Sequence, residues 1–358
     1  NSRRVPFLHS IPEAIPSPVP VAVIVAVRNE ERDLAEALRS LLRLTYPAYR
    51  LVVVNDRSTD RTPQILEQFA ETHPHLNLIT VDHLPEGWLG KNHALYQGYR
   101  STQEDWMLFT DADVVFAPET LDRAMTYVHR QQLDHLTVLP QITSRSQALR
   151  SVLATFQVML EFRHRPWDTL NPRSSASLGV GAFNLVRRSA YEQAGTHQAF
   201  SLRPDDDLKL GHQIKKSGGR QGVLYGHRQI WLEWYTSVGE FVQGLMKNTF
   251  AVYRYRFLPL FLLGVVPTLL FFVLPLPLLL WCGSSGGWLP AGLLLAAQGV
   301  LLFGKRGSEA RWWYPLAIPF AGLLMAFIML RAAWVTLKQG GIYWRDQFYA
   351  LKELRKQA

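Results

Sequence analysis

Three acidic groups punctuate the first part of the chain: Asp56, then Asp111 with Asp113, then Asp205-Asp206-Asp207. The first two each close a short apolar run, Leu51-Val52-Val53-Val54-Asn55 and Trp106-Met107-Leu108-Phe109-Thr110. A carboxylate just past the C-terminal end of a buried parallel strand faces the crevice where open α/β sheets hold ligands. Alternate residues of an extended segment point the same way, so Asp111 and Asp113 can approach one site. Such a pair suits a hard divalent cation, Mg2+ or Mn2+, of the kind that holds substrate phosphates. Asp56, acceptor-only when ionised, suits an N–H on a base edge. Glu30, at the mouth of the first apolar run, is placed to hold ribose or base. Lys91 follows Gly90, which permits close backbone approach, and offers a point charge to phosphates or sugar. Each residue also has a purely structural reading: an Asx-turn at Asp56, a helix start at Glu30, N-terminal helix acids after Pro204.

The elements that must position these groups are legible as alternating patterns. Val21 to Val27 reads as a strand buried on both faces, followed by a helical pattern opening at Asn29-Glu30-Glu31 with Leu34, Leu38, Leu41 and Leu42 on one side. Leu51 to Asn55, Leu76 to Val81, Met107 to Phe109 and Leu136 to Leu139 read as further strands. Helices are expected from about Thr62 to His73, from Asn92 to Ser101, and just after Pro118. This alternation implies an α/β fold with a mostly parallel sheet and helices on both faces.

Composition narrows the class. The 358 residues give room for one large or two ordinary domains. A net charge of +9 and a pI near 9.7 would suit nucleic acid, but the basic residues are scattered or flank apolar segments, a placement that favours an anionic membrane surface. No nucleic-acid partner is expected. The one cysteine, Cys282, excludes an intrachain disulfide and a cysteine-based zinc site, and is compatible with a reducing compartment. Neither a Gly-x-Ser-x-Gly elbow, a His-Glu-x-x-His pair nor a Walker loop occurs, and the 11 histidines are scattered. Residues 1–20 carry five prolines and read as an extended linker, with a missing amino-terminal anchor as a further expectation.

Four stretches occur in order: Val25-Ala26-Val27-Arg28-Asn29-Glu30, Val54-Asn55-Asp56-Arg57-Ser58-Thr59-Asp60, Gly87-Trp88-Leu89-Gly90-Lys91 and Thr110-Asp111-Ala112-Asp113. Together they resemble the inverting family 2 glycosyltransferases of GT-A fold. The Trp-Leu-Gly-Lys stretch is similar to the membrane-bound branch that glycosylates lipids such as ceramide, hopanoids and carotenoids. The resemblance implies that Asp56 recognises the uracil imide, Asp113 binds the metal, Asp111 contacts ribose or sugar, and the donor is a nucleotide-sugar, UDP-linked. Counting back from Leu210 aligns Asp206 and Asp207 with the family's acidic pair, which implies Asp207 as general base with Asp206 beside it; Asp205 blurs that register. Gly179-Val180-Gly181 is similar to the acceptor-side stretch, making Gly181 an acceptor candidate. The family's Gln-x-x-Arg-Trp motif is replaced by Gln243-Gly244-Leu245-Met246-Lys247-Asn248, so Lys247 would supply its positive charge, and single-sugar transfer is inferred over a processive synthase. Gly341 to Tyr349 resembles the Trp-Arg-x-x-Tyr ending of lipid glycosyltransferases, with Trp344 as a second acceptor candidate.

From Leu258 the chain changes character. Leu258 to Trp281 has no charge over 24 residues, about 36 Å of helix, enough to span a bilayer. Its prolines would bend or break it. Trp288 to Phe303 and Trp312 to Leu337 are the next candidates, which gives two or three spans. Basic residues on both Lys305-Arg311 and Lys338-Lys356 are reconciled with a cytoplasmic catalytic face by two crossings plus one interfacial or re-entrant segment. The expected organisation is a linker (1–20), a GT-A domain (21–236), an amphipathic interfacial helix (237–257), a membrane region (258–337) and a basic tail (338–358). The expected protein is an integral membrane enzyme of the bacterial inner membrane, moving one sugar to a lipid hydroxyl. The rivals are a processive polysaccharide synthase and a non-catalytic nucleotide-binding scaffold. Donor sugar, acceptor lipid and oligomeric state are not encoded in any of these signals.

Overall fold

Twelve strands follow in chain order: β1 (Val21–Val27), β2 (Tyr49–Asp56), β3 (Leu76–Val81), β4 (Trp106–Thr110), β5 (Val115–Phe116), β6 (His135–Leu139), β7 (Gln141–Ile142), β8 (Asn184–Arg187), β9 (Gln221–Tyr225), β10 (Ile230–Leu232), β11 (Gly341–Trp344) and β12 (Gln347–Ala350). Their arrangement comes from a computed structural model that describes residues 4–13, 17–281, 288–304, 310–344 and 347–356. Pro16, Cys282, Lys305, Arg306 and Arg345 lie outside the described residues.

Seven strands form one sheet in the order β3-β2-β1-β4-β8-β6-β9. β1 is parallel to β2 and β4, and β6 is parallel to β9, but β8 runs antiparallel to both of its neighbours. The period-2 rule sorts the sheet into two layers. Val21, Val23 and Val25 join Leu34, Leu38 and Leu41 of α1 (Leu34–Leu41) on one face. Ala22 and Ile24 face the other way, towards residues of the helices that cover the second face. In chain order after α1 come α2 (Thr62–Thr72), α3 (Gly90–Arg100), α4 (Thr120–Gln131), α5 (Gln147–His164), α6 (Arg188–Gln193), α7 (Asp206–Lys216) and α8 (Val238–Val252). α4 supplies Leu121 and Met125 to the first face; α3 and α7 supply Leu95, Leu210 and Ile214 to the second. Helices on both faces are what the alternation implied, and the mixed sheet is GT-A-like, as the family resemblance implied.

Two details depart from the sequence expectation. The first helix begins at Leu34 rather than Asn29. Asn29 is left-handed (φ 53°), its amide donates to Ser58 Oγ and the Glu30 amide to Thr62 Oγ1, so side chains of the next βα turn take backbone groups at the point where a helix was expected. The reversed β8 was not foreseen. Its first residue, Asn184, pairs with Phe109 near the C-terminal end of β4, so the segment leading into it is delivered to the turn that holds Asp111 and Asp113.

Beyond α8, a continuous apolar helix runs from Phe257 to Leu279 and another from Tyr314 to Gln339, both long enough to cross a membrane. The Trp288–Gly304 helix has 17 residues, about 26 Å, slightly less than a hydrocarbon core of about 30 Å. The first helix is not broken at its prolines. It widens into π-helical turns at Phe261–Val265 and Leu269–Val273, flanking Pro267, whose ring removes one backbone donor. α8 is not surrounded by solvent either: Phe241 and Leu245 pack in one cluster with Met325, Met329 and Ala332 of the Tyr314–Gln339 helix and with Tyr349 of β12. The apolar helices and the sheet domain therefore share a core.

Candidate active site

The C-terminal ends of β2 and β4, the start of α3, the segment before β8 and the start of α7 come together. Asp56 ends β2 and is buried. Both of its oxygens accept from Arg57, at 2.8 and 3.1 Å, and Arg28 stands 3.7 Å away. Gly90 begins α3 directly against it: a Cβ there would lie 2.2 Å from Asp56 Oδ2. Only glycine allows that approach.

One residue on, Lys91 Nζ lies 2.8 Å from Asp111 Oδ1 and 3.5 Å from Asp206 Oδ2. Burial disfavours its charge, but Asp111, Asp206 and Asp207 together outweigh that and hold its pKa above the ordinary lysine value. Asp206 is nearly inaccessible; burial chiefly, with Asp207 and Asp111 adding to it against Lys91, raises its pKa to about 7. Asp207, the second residue of α7, is likewise raised, mainly by burial. Its Oδ2 accepts from the Gly181 amide at 2.8 Å and its Oδ1 from the Leu208 amide at 2.7 Å. Gly181 also holds Asp111: its carbonyl accepts from the Asp111 amide at 3.0 Å, and a Cβ on it would lie 2.3 Å from Asp111 Oδ2. One glycine thus ties the second acidic cluster to the third.

The run of three acids divides by environment. Asp205 pairs with buried Arg203 at 2.6 Å, and the same Arg203 Nη2 donates to the Ala251 carbonyl at the end of α8. Asp206 turns to Lys91 and Asp207 to Gly181.

Asp113 is raised to about 7, first by burial, then by the negative charges of Asp111 and Glu30. Oxygen donors only, crowded together and short of positive charge, fit a hard divalent cation such as Mg2+ or Mn2+. Among the described residues, no three His, Cys, Asp or Glu side chains form a closed cage. An open set of this kind is what Mg2+ accepts when substrate phosphates and water complete its shell.

Two cavities meet at Asp207. A cleft of ≈ 200 Å³ carries Asp111, Asp207, Gln141 and Arg150 on otherwise mostly apolar walls that include Phe156 and Trp234. A larger one of ≈ 590 Å³ runs from Asp207 and Leu208 past Phe156 and Tyr253 to Leu263, Phe272 and Met329 of the apolar helices. Lys247 and Trp344 are brought together, with Lys247 Nζ 5.6 Å from the indole centroid. The C-terminal hairpin lies on the Asp56 side: Tyr349 Oη donates to the Trp88 carbonyl at 3.1 Å.

The sequence pointed to Glu30, Asp56, Lys91, Asp111, Asp113, Asp206, Asp207 and Gly181, and the structure gathers these at one end of the sheet. It did not point to Arg28 and Arg57, to Tyr349, or to Tyr235, whose hydroxyl fits against Gly244 and whose titration feels Asp113. Arg28 and Arg57 sit inside the quoted motifs and could have been found there. Tyr349 lies inside the quoted C-terminal stretch, whereas Tyr235 carries no local signal.

Comparison with known proteins agrees with this arrangement. Residues 22–195 match the family Glycosyl transferase family 2. A 4,4'-diaponeurosporenoate glycosyltransferase of Staphylococcus aureus is 28% identical over 196 residues, covering 53% of this chain and 50% of the relative. The chain thus spans about half the length of the curated relatives it matches. Among solved structures, a mannosyltransferase from Pyrobaculum calidifontis in complex with GDP-Man and Mn2+ superposes with a TM-score of 0.58 at 20% identity, over 93% of each chain. The acidic ends of β2 and β4 and the GT-A-like sheet thus accompany a Glycosyl transferase family 2 domain over residues 22–195 and similarity to glycosyltransferases.

Proposed function

We propose that the protein is an inverting glycosyltransferase that moves a single sugar from a nucleotide-sugar donor to the hydroxyl of a membrane lipid. The observation that carries this reading is the position of Asp207, where the cleft that holds Asp111 and the larger apolar cavity meet. Inverting transfer needs a carboxylate to take the acceptor proton while the oxygen attacks the anomeric carbon from the face opposite the leaving group. Asp207 suits that role because burial raises its pKa towards neutrality and the Gly181 and Leu208 amides fix both oxygens. The proton passes from the acceptor hydroxyl to Asp207, the new C–O bond forms, and the nucleoside diphosphate departs with the bonding pair. Asp206, paired with Lys91, supports this carboxylate rather than acting as the base.

On the donor side, Asp56 and Glu30 are assigned to base and ribose. Arg57 now occupies both Asp56 oxygens, so an incoming base N–H would share or displace it. Lys91 and Asp111 are assigned to sugar and phosphates. Lys247, beside Trp344, is the remaining cation for the diphosphate. Asp113, with Asp111, would hold a divalent cation, which when bound offsets charge on the departing diphosphate. The Pyrobaculum mannosyltransferase is itself bound to GDP-Man and Mn2+, so GDP- as well as UDP-sugars belong in the donor panel.

The lipid acceptor is supported by the ≈ 590 Å³ cavity, whose far wall is built from the two long apolar helices, and by the S. aureus relative's named acceptor, 4,4'-diaponeurosporenoate. In this reading both helices cross the bacterial inner membrane, with the catalytic domain cytoplasmic. The experiment is purification in detergent and incubation with UDP- and GDP-sugars, Mg2+ or Mn2+, and host lipid extract, scored by mass shift. A single-sugar lipid is expected, and a ladder of longer products would favour a processive synthase. Asp207→Asn should lower turnover by at least about 10³-fold with nucleotide affinity unchanged. Near-normal turnover would remove Asp207 as the base.

A further inference from the structure

Behind the acids lies a buried polar string that the proposed chemistry does not use. His135 on β6, Asn184 on β8 and Gln221 on β9 are each at most 2% exposed. Their mutual bonds have a single consistent polarity. Gln221 Oε1 accepts from the Leu178 amide at 2.8 Å, which fixes the orientation of its side-chain amide. Gln221 Nε2 then faces His135 Nδ1 at 2.8 Å and the Gly211 carbonyl at 3.1 Å. His135 Nδ1 must therefore be the bare acceptor, leaving Nε2–H to donate to Asn184 Oδ1 at 3.1 Å. Asn184 Oδ1 also accepts from the Val180 amide at 3.3 Å.

The string holds both sides of the Asp207 site. Leu178 and Val180 frame Gly179, whose missing Cβ lets the Asp207 carbonyl come within 1.9 Å of where that atom would stand. Gly211, gripped through its carbonyl, lies one turn further along α7 and packs in the same manner on the Leu178 carbonyl. The next amide, that of Gly181, is the donor to Asp207 Oδ2.

We propose that His135, Asn184 and Gln221 are positioning residues for the reaction: they lock residues 178–181 against α7 so that the Gly181 amide stays on Asp207. The consequence for turnover rests on Asp207 being the base; the consequence for local structure does not. A base displaced by even about 1 Å can lose on the order of 10²-fold in rate. The side chains that set this distance therefore need to be locked by their own bonds.

The test uses the full chain in detergent. Gln221→Leu removes both donors and the acceptor. Hydrogen exchange followed by mass spectrometry should show the Leu178 and Gly181 amides exchanging about tenfold faster or more, with β1 and β2 unchanged. Turnover of the UDP- or GDP-sugar active with the wild type should fall by a similar factor, while the dissociation constant for the free nucleotide stays the same. Gln221→Glu keeps an acceptor for Leu178 but sets an oxygen against the Gly211 carbonyl, so it should restore slow Leu178 exchange while turnover stays lowered. Asn184→Ala breaks the other end and should give the same turnover-only defect if Gln221→Leu does not fold. Loss of nucleotide affinity in parallel with turnover, equally fast Leu178 exchange in Gln221→Leu and Gln221→Glu, or unchanged Gly181 exchange when Leu178 is released would each overturn the proposal. Asp207→Asn separates the two ideas: turnover retained in that variant removes the base, whereas the exchange result stands on its own.

Discussion

A methyl group on Gly90 would stand 2.2 Å from Asp56 Oδ2, and one on Gly181 would stand 2.3 Å from Asp111 Oδ2. At the scale of single residues the site is built on such close approaches of backbone to carboxylate. Gly90→Ala gains about 1 kcal/mol of helix propensity yet must push Asp56 and Arg57 aside. Nucleotide affinity is expected to drop by about tenfold or more, or ~1.4 kcal/mol, with thermal stability little changed; titration calorimetry with UDP and GDP decides it. An affinity equal to the wild type would detach Asp56 from the nucleotide. The carboxylates, Lys91 and both glycines were legible because each lies in a short motif at a strand or helix end. The sharing-out of Asp205, Asp206 and Asp207 among Arg203, Lys91 and Gly181 was not, since neighbouring acids on one helical turn look alike until their partners are placed.

At the scale of elements, β6, β8 and β9 carry a pH signature. Burial depresses the pKa of His135 to about 4 and that of His197 to about 3, below the 6.5 of an unfolded histidine. Between those values the unfolded chain binds more protons than the folded one. The stability owed to these residues is therefore complete above about pH 6.5 and is lost as pH falls towards 4. Asp113 and Asp206 act in the opposite sense: with folded pKa values of about 7, their contribution is present in acid and lost as pH rises through 7. Comparing the melting temperature of the wild type with that of His135→Gln isolates the histidine part. The wild type should lose its advantage or fall behind as pH drops from 6.5 to 4; parallel curves would mean His135 is already charged. The strand and helix pattern was readable because apolar runs and 3.6-residue periods are local. The antiparallel β8 was not, since its direction is set by the long excursion through α5 and by pairing with β4, which no short window contains.

At the scale of the whole molecule, apolar surface decides location. Large side chains of the C-terminal helices point outward, including Leu289 at 72% exposure and Phe320 at 63%. Uncovered surface of this kind marks contact with a membrane or a partner, and the proposed function assigns it to lipid. Membranes washed with alkaline carbonate are expected to retain the protein in the pellet, and detergent should be needed to release it. Release by carbonate alone would reduce the two long helices to core elements of a peripheral protein. The hairpin formed by β11 and β12 carries a different consequence. Tyr349 reaches the Trp88 carbonyl across 261 positions of sequence, so the turn that presents Gly90 and Lys91 is braced by a hairpin from far downstream. Loosening that hairpin is therefore transmitted to the start of α3.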